Sequence, residues 1–130
     1  MKYFTFLLIT FFLFGSCNKE YSNDDECLEL ETAYVTNVNA PSTGVINETI
    51  EIEVNFKVKN SCGNFNNFEE ESIGNSKLIN VIAIYDDCPC LQVIGAQTAA
   101  YFFSASVPGN YELKFRSGPD DFIIAVITIE

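Results

Sequence analysis

Cysteine is the residue type in this chain best suited to chemistry, and four cysteines stand within its polar and globular part: Cys27, Cys62, Cys88 and Cys90. The motif Cys88-Pro89-Cys90 could support redox catalysis if a nearby cation or a helix N-terminus favoured the thiolate. Asp86 and Asp87 have the opposite effect, because negative charge disfavours a thiolate. A four-cysteine zinc site would use paired Cys-x2-Cys knuckles, which the chain lacks. The residues therefore favour neither a redox centre nor a zinc site.

The chain contains no histidine, which removes the commonest general base and the Ser-His and Cys-His nucleophile pairs. Neighbouring acids do occur, at positions 24–25, 69–71, 86–87 and 120–121. Adjacent residues of a strand face opposite sides and loop acids are usually solvated, so these acids do not predict a glycosidase. Calcium could bind loop acids, but no EF-hand spacing is present. We predict a non-enzymatic protein with no catalytic residue, metal or cofactor.

Aromatic residues give one candidate contact surface. The chain has no tryptophan and no regularly spaced aromatic stripe of the kind that stacks sugars or bases. Tyr101, Phe102 and Phe103 are consecutive, so in a strand at least one must face away from the others. They form either an exposed contact patch or a strand covered by a loop.

The N-terminus has the pattern of a secretory leader. Met1-Lys2 is a short positive region, residues 3–14 are apolar apart from two threonines, and Gly15-Ser16 are small. The apolar run is too short for a transmembrane helix, which needs about 20 residues. We predict a signal peptide over residues 1–16.

The segment Leu13-Phe14-Gly15-Ser16-Cys17 resembles the lipobox of bacterial lipoproteins, with Phe14 in place of the usual leucine. The resemblance implies cleavage before Cys17, lipidation of Cys17 and anchoring in a membrane. Residues 17–27 are polar and acidic and predict a flexible tether. They also resemble export signals of Bacteroidetes-type lipoproteins, which implies the outer membrane, at its periplasmic face or at the cell surface. An ordinary signal peptide that precedes a disulfide cysteine is the alternative.

An even number of cysteines beyond Cys17 favours disulfides in an exported protein. Cys88 and Cys90 are too close for a relaxed bridge to each other, although in an extended segment both point to one side. We predict that Cys62 bonds one member of this pair and that Cys27 bonds the other.

The region 28–130 has period-two hydrophobicity and no helical pattern. The clearest strand is 49–59, where Ile50, Ile52 and Val54 begin an alternation with charged residues. Other predicted strands are 33–38, 77–85, 98–106, 110–116 and 122–129, with an irregular strand or loop around Phe65 and Phe68 and a turn at 39–44. This pattern predicts one all-β domain, an antiparallel sandwich of about seven strands.

The segment 107–115, Val-Pro-Gly-Asn-Tyr-Glu-Leu-Lys-Phe, resembles the penultimate strand of bacterial immunoglobulin-like domains, with Tyr111 at the tyrosine-corner position. The domain also resembles small Bacteroidetes-type lipoproteins that carry an Asn-Ser-Cys-Gly-Asn-Phe segment, here 60–65, a Cys-x-Cys motif and a Pro-Gly-x-Tyr ending. These resemblances imply an immunoglobulin-like sandwich and an envelope location, and they imply no activity.

The net charge of the chain limits the kinds of molecule that it can bind. The net charge is −11, and removal of the leader, whose charged residue is Lys2, makes the mature chain more negative. Nucleic acid is disfavoured, because phosphate binding needs clustered Lys and Arg. We predict a lipid-anchored binding or accessory module with a protein partner in the cell envelope. The alternatives are an exported thiol-active or hydrolytic protein that uses Cys88, Cys90 or loop acids, and a spacer without a ligand.

Overall fold

The computed structural model of this protein describes residues 28–86 and 89–130. The predicted signal peptide, Cys17, the tether, Cys27 and Cys88 lie outside the described residues. Nine strands are present in the described part: β1 (Glu29–Ala33), β2 (Val35–Asn39), β3 (Thr43–Gly44), β4 (Ile50–Val58), β5 (Gly63–Ile73), β6 (Ser76–Tyr85), β7 (Gly95–Phe103), β8 (Gly109–Arg116) and β9 (Phe122–Ile129). No helix among these residues has the length and apolar character needed to cross a bilayer. The all-β prediction is confirmed.

Two sheets face each other as a sandwich. The smaller sheet has the order β2-β4-β7, and the larger contains β1, β3, β5, β6, β8 and β9. Strand β6 organises the larger sheet, because β5 pairs along one of its edges while β8 and β1 follow one another along the opposite edge. β8 pairs with residues 76–79 of β6 and β1 with residues 81–85. Asn80 lies between these two ladders, and its Oδ1 accepts a hydrogen bond of 2.8 Å from Arg116 Nε.

The sandwich differs from the predicted antiparallel arrangement of about seven strands. The described residues form nine strands, and the β6–β8 and β3–β9 pairs are parallel. The predicted strand 33–38 divides at Tyr34, where the chain leaves the larger sheet as β1 and joins the smaller as β2. The predicted turn at 39–44 contains the two-residue strand β3. Strands this short contain too few residues to show the alternation of apolar and polar residues from which strands are predicted.

Strand β4 supplies the centre of the core. Ile52, Val54 and Phe56 are fully buried, whereas the intervening Glu51 and Glu53 are exposed. Each large buried side chain contributes about 1.5–3 kcal/mol relative to an exposed one. Facing them from the larger sheet are the buried residues Ile79, Val81, Leu113, Phe115 and Ile127. The alternation read from the sequence therefore does place one face of β4 in the interior.

Strand β5 is the irregular segment predicted around Phe65 and Phe68. It spans 11 residues at an edge of the larger sheet and contains a bulge between Phe65 and Asn67. Because of the bulge, Phe65 lies opposite the buried Ala83 and Phe68 opposite the buried Val81, so both are on the inner side of the strand. Phe68 packs against the core, whereas Phe65 is 37% exposed. The strand turns into β6 through Gly74, whose φ of 60° suits glycine in a tight hairpin.

Candidate functional site

A cleft lies where the chain crosses between the sheets. β1 ends at Ala33, paired with Val81, and β2 begins at Val35, paired with Phe56, so Tyr34 alone makes the crossing. The carbonyl of Tyr34 accepts a hydrogen bond of 3.1 Å from the backbone N–H of Lys57. The resulting crossing cleft measures about 510 Å³ and includes Tyr34, Val35, Val58, Lys59, Tyr85 and Ile94 in its lining. Its volume falls in the range of ligand pockets.

Lys59 supplies the charge at one side of the crossing cleft. Its Nζ lies 2.8 Å from a carboxylate oxygen of Glu29 and 2.5 Å from one of Glu31. It also lies 4.7 Å from the centre of the Tyr85 ring, a cation–π contact. The hydrogen bonds to Glu29 and then to Glu31 raise the pKa of Lys59 above its usual value. The lysine is therefore protonated at neutral pH and is unsuited to act as a nucleophile or general base.

Tyr85 fixes the floor of the cleft. It is 5% exposed, and its hydroxyl oxygen accepts a hydrogen bond of 3.0 Å from the backbone N–H of Lys59. Because Tyr85 ends β6 and Lys59 follows β4, this bond joins the two sheets at the same end of the sandwich. The cleft thus has a preformed apolar and aromatic floor.

A loop held by a disulfide borders the cleft. Cys62 and Cys90 are bonded, with Cα atoms 5.6 Å apart, which confirms the predicted link between Cys62 and the Cys88/Cys90 pair. Ser61 adds two hydrogen bonds: its N–H donates to the Leu91 carbonyl at 3.0 Å, and its Oγ accepts from the Leu91 N–H at 2.8 Å. The loop is therefore tied to the start of β5 by one covalent bond and two hydrogen bonds.

Three side chains of this loop are apolar and exposed. Leu91, Val93 and Ile94 have 72%, 61% and 70% of their surfaces accessible. Leu28 and Leu30, at the beginning of β1, are 55% and 59% exposed. Glu29 pairs with Tyr85, so β1 begins where β6 ends, next to the loop. We call four of these residues the apolar end: Leu28, Leu30, Leu91 and Val93. Ile94 belongs to the lining of the crossing cleft.

A polar cluster connects the sheets away from the cleft. Tyr101 of β7 donates a hydrogen bond from its hydroxyl to Glu70 of β5, and Lys77 Nζ lies 3.2 Å from the other carboxylate oxygen of Glu70. The bond from Tyr101 lowers the pKa of Glu70, more than the bond from Lys77 does. Burial, followed by the bond to Glu70, raises the pKa of Tyr101. The cluster stabilises the charged carboxylate of Glu70 and the neutral phenol of Tyr101. These protonation states suit a structural contact between the two sheets.

The predicted aromatic patch of Tyr101, Phe102 and Phe103 has two residues in the core and one on the surface. Tyr101 and Phe103 are 5% and 2% exposed and pack inside the sandwich, so they are not available for contact. Tyr101 lies between Phe68 and Phe115, with ring centres 5.1 and 5.6 Å away. Phe102 is 62% exposed on the outer side of β7. Of the three residues only Phe102 presents a surface.

Among the described residues, the runs of neighbouring acids noted in the sequence lie in separate parts of the structure. Glu69 and Glu71 are exposed on β5, and Asp120 and Asp121 lie in the turn before β9. Among residues 28–86 and 89–130, no three His, Cys, Asp or Glu side chains are grouped as metal ligands. The two described carboxylates that do come together, those of Glu29 and Glu31, are both bound by Lys59.

The crossing cleft and the apolar end were not predicted from the sequence. The short apolar run at 91–94, next to the cysteine pair, is the one signal that marked this loop. The roles of Lys59 and Tyr85 depend on pairing across the two sheets. Comparison of the chain with protein-family models, with curated proteins and with solved structures found no match.

Proposed function

We propose that this chain is an exported lipoprotein, anchored through lipid on Cys17, that acts as a non-enzymatic binding or accessory module of the cell envelope. The leader over residues 1–16, the lipobox-like segment and the acidic stretch 17–27 support the anchor. The crossing cleft carries the binding assignment, because it is a preformed, mostly apolar concavity.

The partner is a protein of the envelope that inserts an apolar side chain into the crossing cleft. Val35, Val58 and Tyr85 form an apolar floor, and Lys57 and Tyr34 provide hydrogen-bonding groups near the rim. This combination of apolar depth and few polar groups is typical of specific recognition. Lys59 is already paired with Glu29 and Glu31, so the partner needs no carboxylate to match it.

The binding assignment is tested by site-specific photocrosslinking in cells that express the full chain. A photoreactive phenylalanine analogue at Tyr34 should give a discrete protein adduct that recurs between preparations. The same analogue at Phe102, an exposed aromatic on the outer side of β7, is the matched control and should not give that adduct. The absence of an adduct at Tyr34, or the same adduct at both positions, would refute binding at the cleft and would favour the spacer alternative.

Location is part of the proposal, at the outer membrane on its periplasmic face or at the cell surface. Protease added to intact cells separates the two faces. Digestion from outside means a surface protein with extracellular partners, and protection until the envelope is broken means a periplasmic partner.

The thiol-active alternative is the weaker reading. Cys90 is bonded to Cys62, which is only 6% exposed, so Cys90 lacks the accessible thiolate that redox catalysis requires. Quantifying free thiols in the oxidised, native protein tests this point. A reactive thiol at Cys90 would restore the alternative.

We also propose that the domain is an immunoglobulin-like sandwich with a rearranged hairpin. The Tyr111 hydroxyl donates a hydrogen bond of 2.6 Å to the Val107 carbonyl, four residues upstream, as in a tyrosine corner. The two antiparallel strands β8 and β9, extended by the short β3, resemble the end of such a sheet. The departure is the β5–β6 hairpin, which places β6 beside β8 in parallel.

A further inference from the structure

We infer that the apolar end is a membrane-docking surface that rests on the lipid bilayer next to the anchor. This inference rests on the proposed lipidation of Cys17. It adds to the anchor a second contact with lipid, made by the folded domain, that fixes which end of the sandwich faces the membrane.

The position of the apolar end in the chain supports lipid as its occupant. Eleven residues lead from Cys17 to Leu28, and a chain of that length spans at most about 40 Å. The domain is entered at Leu28, which belongs to the apolar end. The β5–β6 hairpin lies at the opposite end of β6, about 30 Å away for a strand of ten residues. The apolar end is therefore the part of the domain closest to Cys17 along the chain.

The composition of this end suits a neutral lipid surface. Leu91 and Val93 are aliphatic and largely exposed, so contact with acyl chains removes apolar area from water. The disulfide and the two Ser61 hydrogen bonds hold the loop in place before contact, which reduces the entropy lost on docking.

The distribution of charged residues is consistent with the apolar end facing the membrane. Lys59 compensates one of the two carboxylate charges of Glu29 and Glu31, so this group near the apolar end keeps one negative charge. The run of acids Glu69–Glu71 lies in the half of β5 nearer the hairpin, where it pairs with residues 78–80 of β6. The described charges at this end are therefore three acids, Glu29, Glu31 and Asp86, against Lys59, which is a small negative excess. The surface depends on apolar contact and favours zwitterionic over anionic lipid.

A single tryptophan reports the docking directly, because the chain has none. Leu91→Trp and Ile73→Trp are matched variants, since Leu91 and Ile73 are both 72% exposed and lie at opposite ends of the sandwich. Each full chain, expressed with its leader and purified from membranes, is reconstituted into phosphatidylcholine vesicles whose acyl chains carry bromine. Val93→Trp is a second reporter in the same loop.

The expected result is loss of most Leu91→Trp and Val93→Trp fluorescence to bromine quenching, with emission shifted to shorter wavelength. Ile73→Trp should remain unquenched, and raising the salt concentration should leave the Leu91→Trp signal unchanged. Equal quenching at Leu91 and Ile73 would overturn the inference. A shift in emission without quenching would also overturn it, because it would mean that the apolar end contacts protein instead of lipid.

Flotation of the same vesicles separates the inference from the proposal on which it rests. Proteins that float with the vesicles but show no quenching at Leu91 retain the anchor and refute the docking surface. Proteins that do not float refute the anchor, and the docking surface with it.

Discussion

Tyr101 of the smaller sheet donates its hydroxyl hydrogen bond to Glu70 of the larger sheet, so one polar contact joins the two layers of the sandwich. Glu70 also binds Lys77, which lies beside it in the same sheet. Around this contact the aromatic rings of Phe65, Phe68 and Tyr101 pack in sequence. The layers are thus connected along the β5–β7 side by packing and by a charge-assisted hydrogen bond.

Replacement Tyr101→Phe should lower the free energy of unfolding by about 1 kcal/mol at neutral pH, because it removes a hydrogen bond to a carboxylate that is partly exposed. Chemical denaturation measures the change. Tyr34→Phe, at an exposed position without this bond, should leave stability within about 0.5 kcal/mol of the parent. Equal effects of the two substitutions would contradict the cross-sheet role of Tyr101.

The same bond predicts a pH window for stability. The pKa of Glu70 is lowered in the folded protein, so its contribution is present above its usual value of 4.5 and is lost as the pH falls through the folded pKa. The pKa of Tyr101 is raised, so its contribution is present below its usual value of 10.0 and is lost as the pH rises further. The stability difference between the parent and Tyr101→Phe should be largest between these values. A Glu70→Gln variant should lose the acidic dependence, and a pH-independent difference would refute this account.

The Cys62–Cys90 bond closes a separation of 28 residues, which on the chain-entropy model contributes about 3.5 kcal/mol. The double variant Cys62→Ala with Cys90→Ala should therefore unfold at a much lower denaturant concentration than the parent. Maleimide labelling of the native, oxidised parent should leave both residues unmodified. Labelling at either residue before unfolding would show that the bond is absent.

Strand β4 provides a matched pair of substitutions at successive positions. Val54→Thr places a hydroxyl at a fully buried site and should cost about 1–3 kcal/mol. Glu53→Thr introduces the same residue on the exposed side and should change stability by less than about 0.5 kcal/mol. Thermal or denaturant unfolding compares the two directly, and similar losses would mean that the faces of β4 are assigned the wrong way round.

Sequence periodicity predicted strands with one buried face well and predicted edge strands poorly. Residues 122–129 were predicted as a strand and form β9, because inner positions such as Ile127 and Ile129 recur at every second residue. The predicted strand 98–106 is displaced, since β7 ends at Phe103, which pairs with Ile50 at the start of β4. Residues 104–106 extend past that start and have no β4 partner. The strand with which β7 pairs sets this end point, and the local hydrophobic pattern of β7 carries no information about that strand.

The candidate site shows the same limit. Cys62 and its partner pair could be chosen from counts and spacing, because an exported chain favours closed bridges. To predict the cleft, one would have to know that the chain crosses between the sheets at Tyr34. One would also have to know that Lys59 binds Glu29 and Glu31, which lie about 30 residues earlier in the chain. Such contacts follow from sheet topology. Of the aromatic triplet, alternation predicted that at least one residue faces outward, and it could not say that Phe102 is that residue.

Intact mass of the membrane-derived protein is the most direct test of the lipoprotein account, with the parent compared to Cys17→Ala. If the protein is a lipoprotein, its mature chain begins at Cys17, carries the added mass of acyl chains and partitions into detergent, and the variant lacks this added mass. A parent protein with an unmodified Cys17, or one that retains residues 1–16, would contradict the anchor.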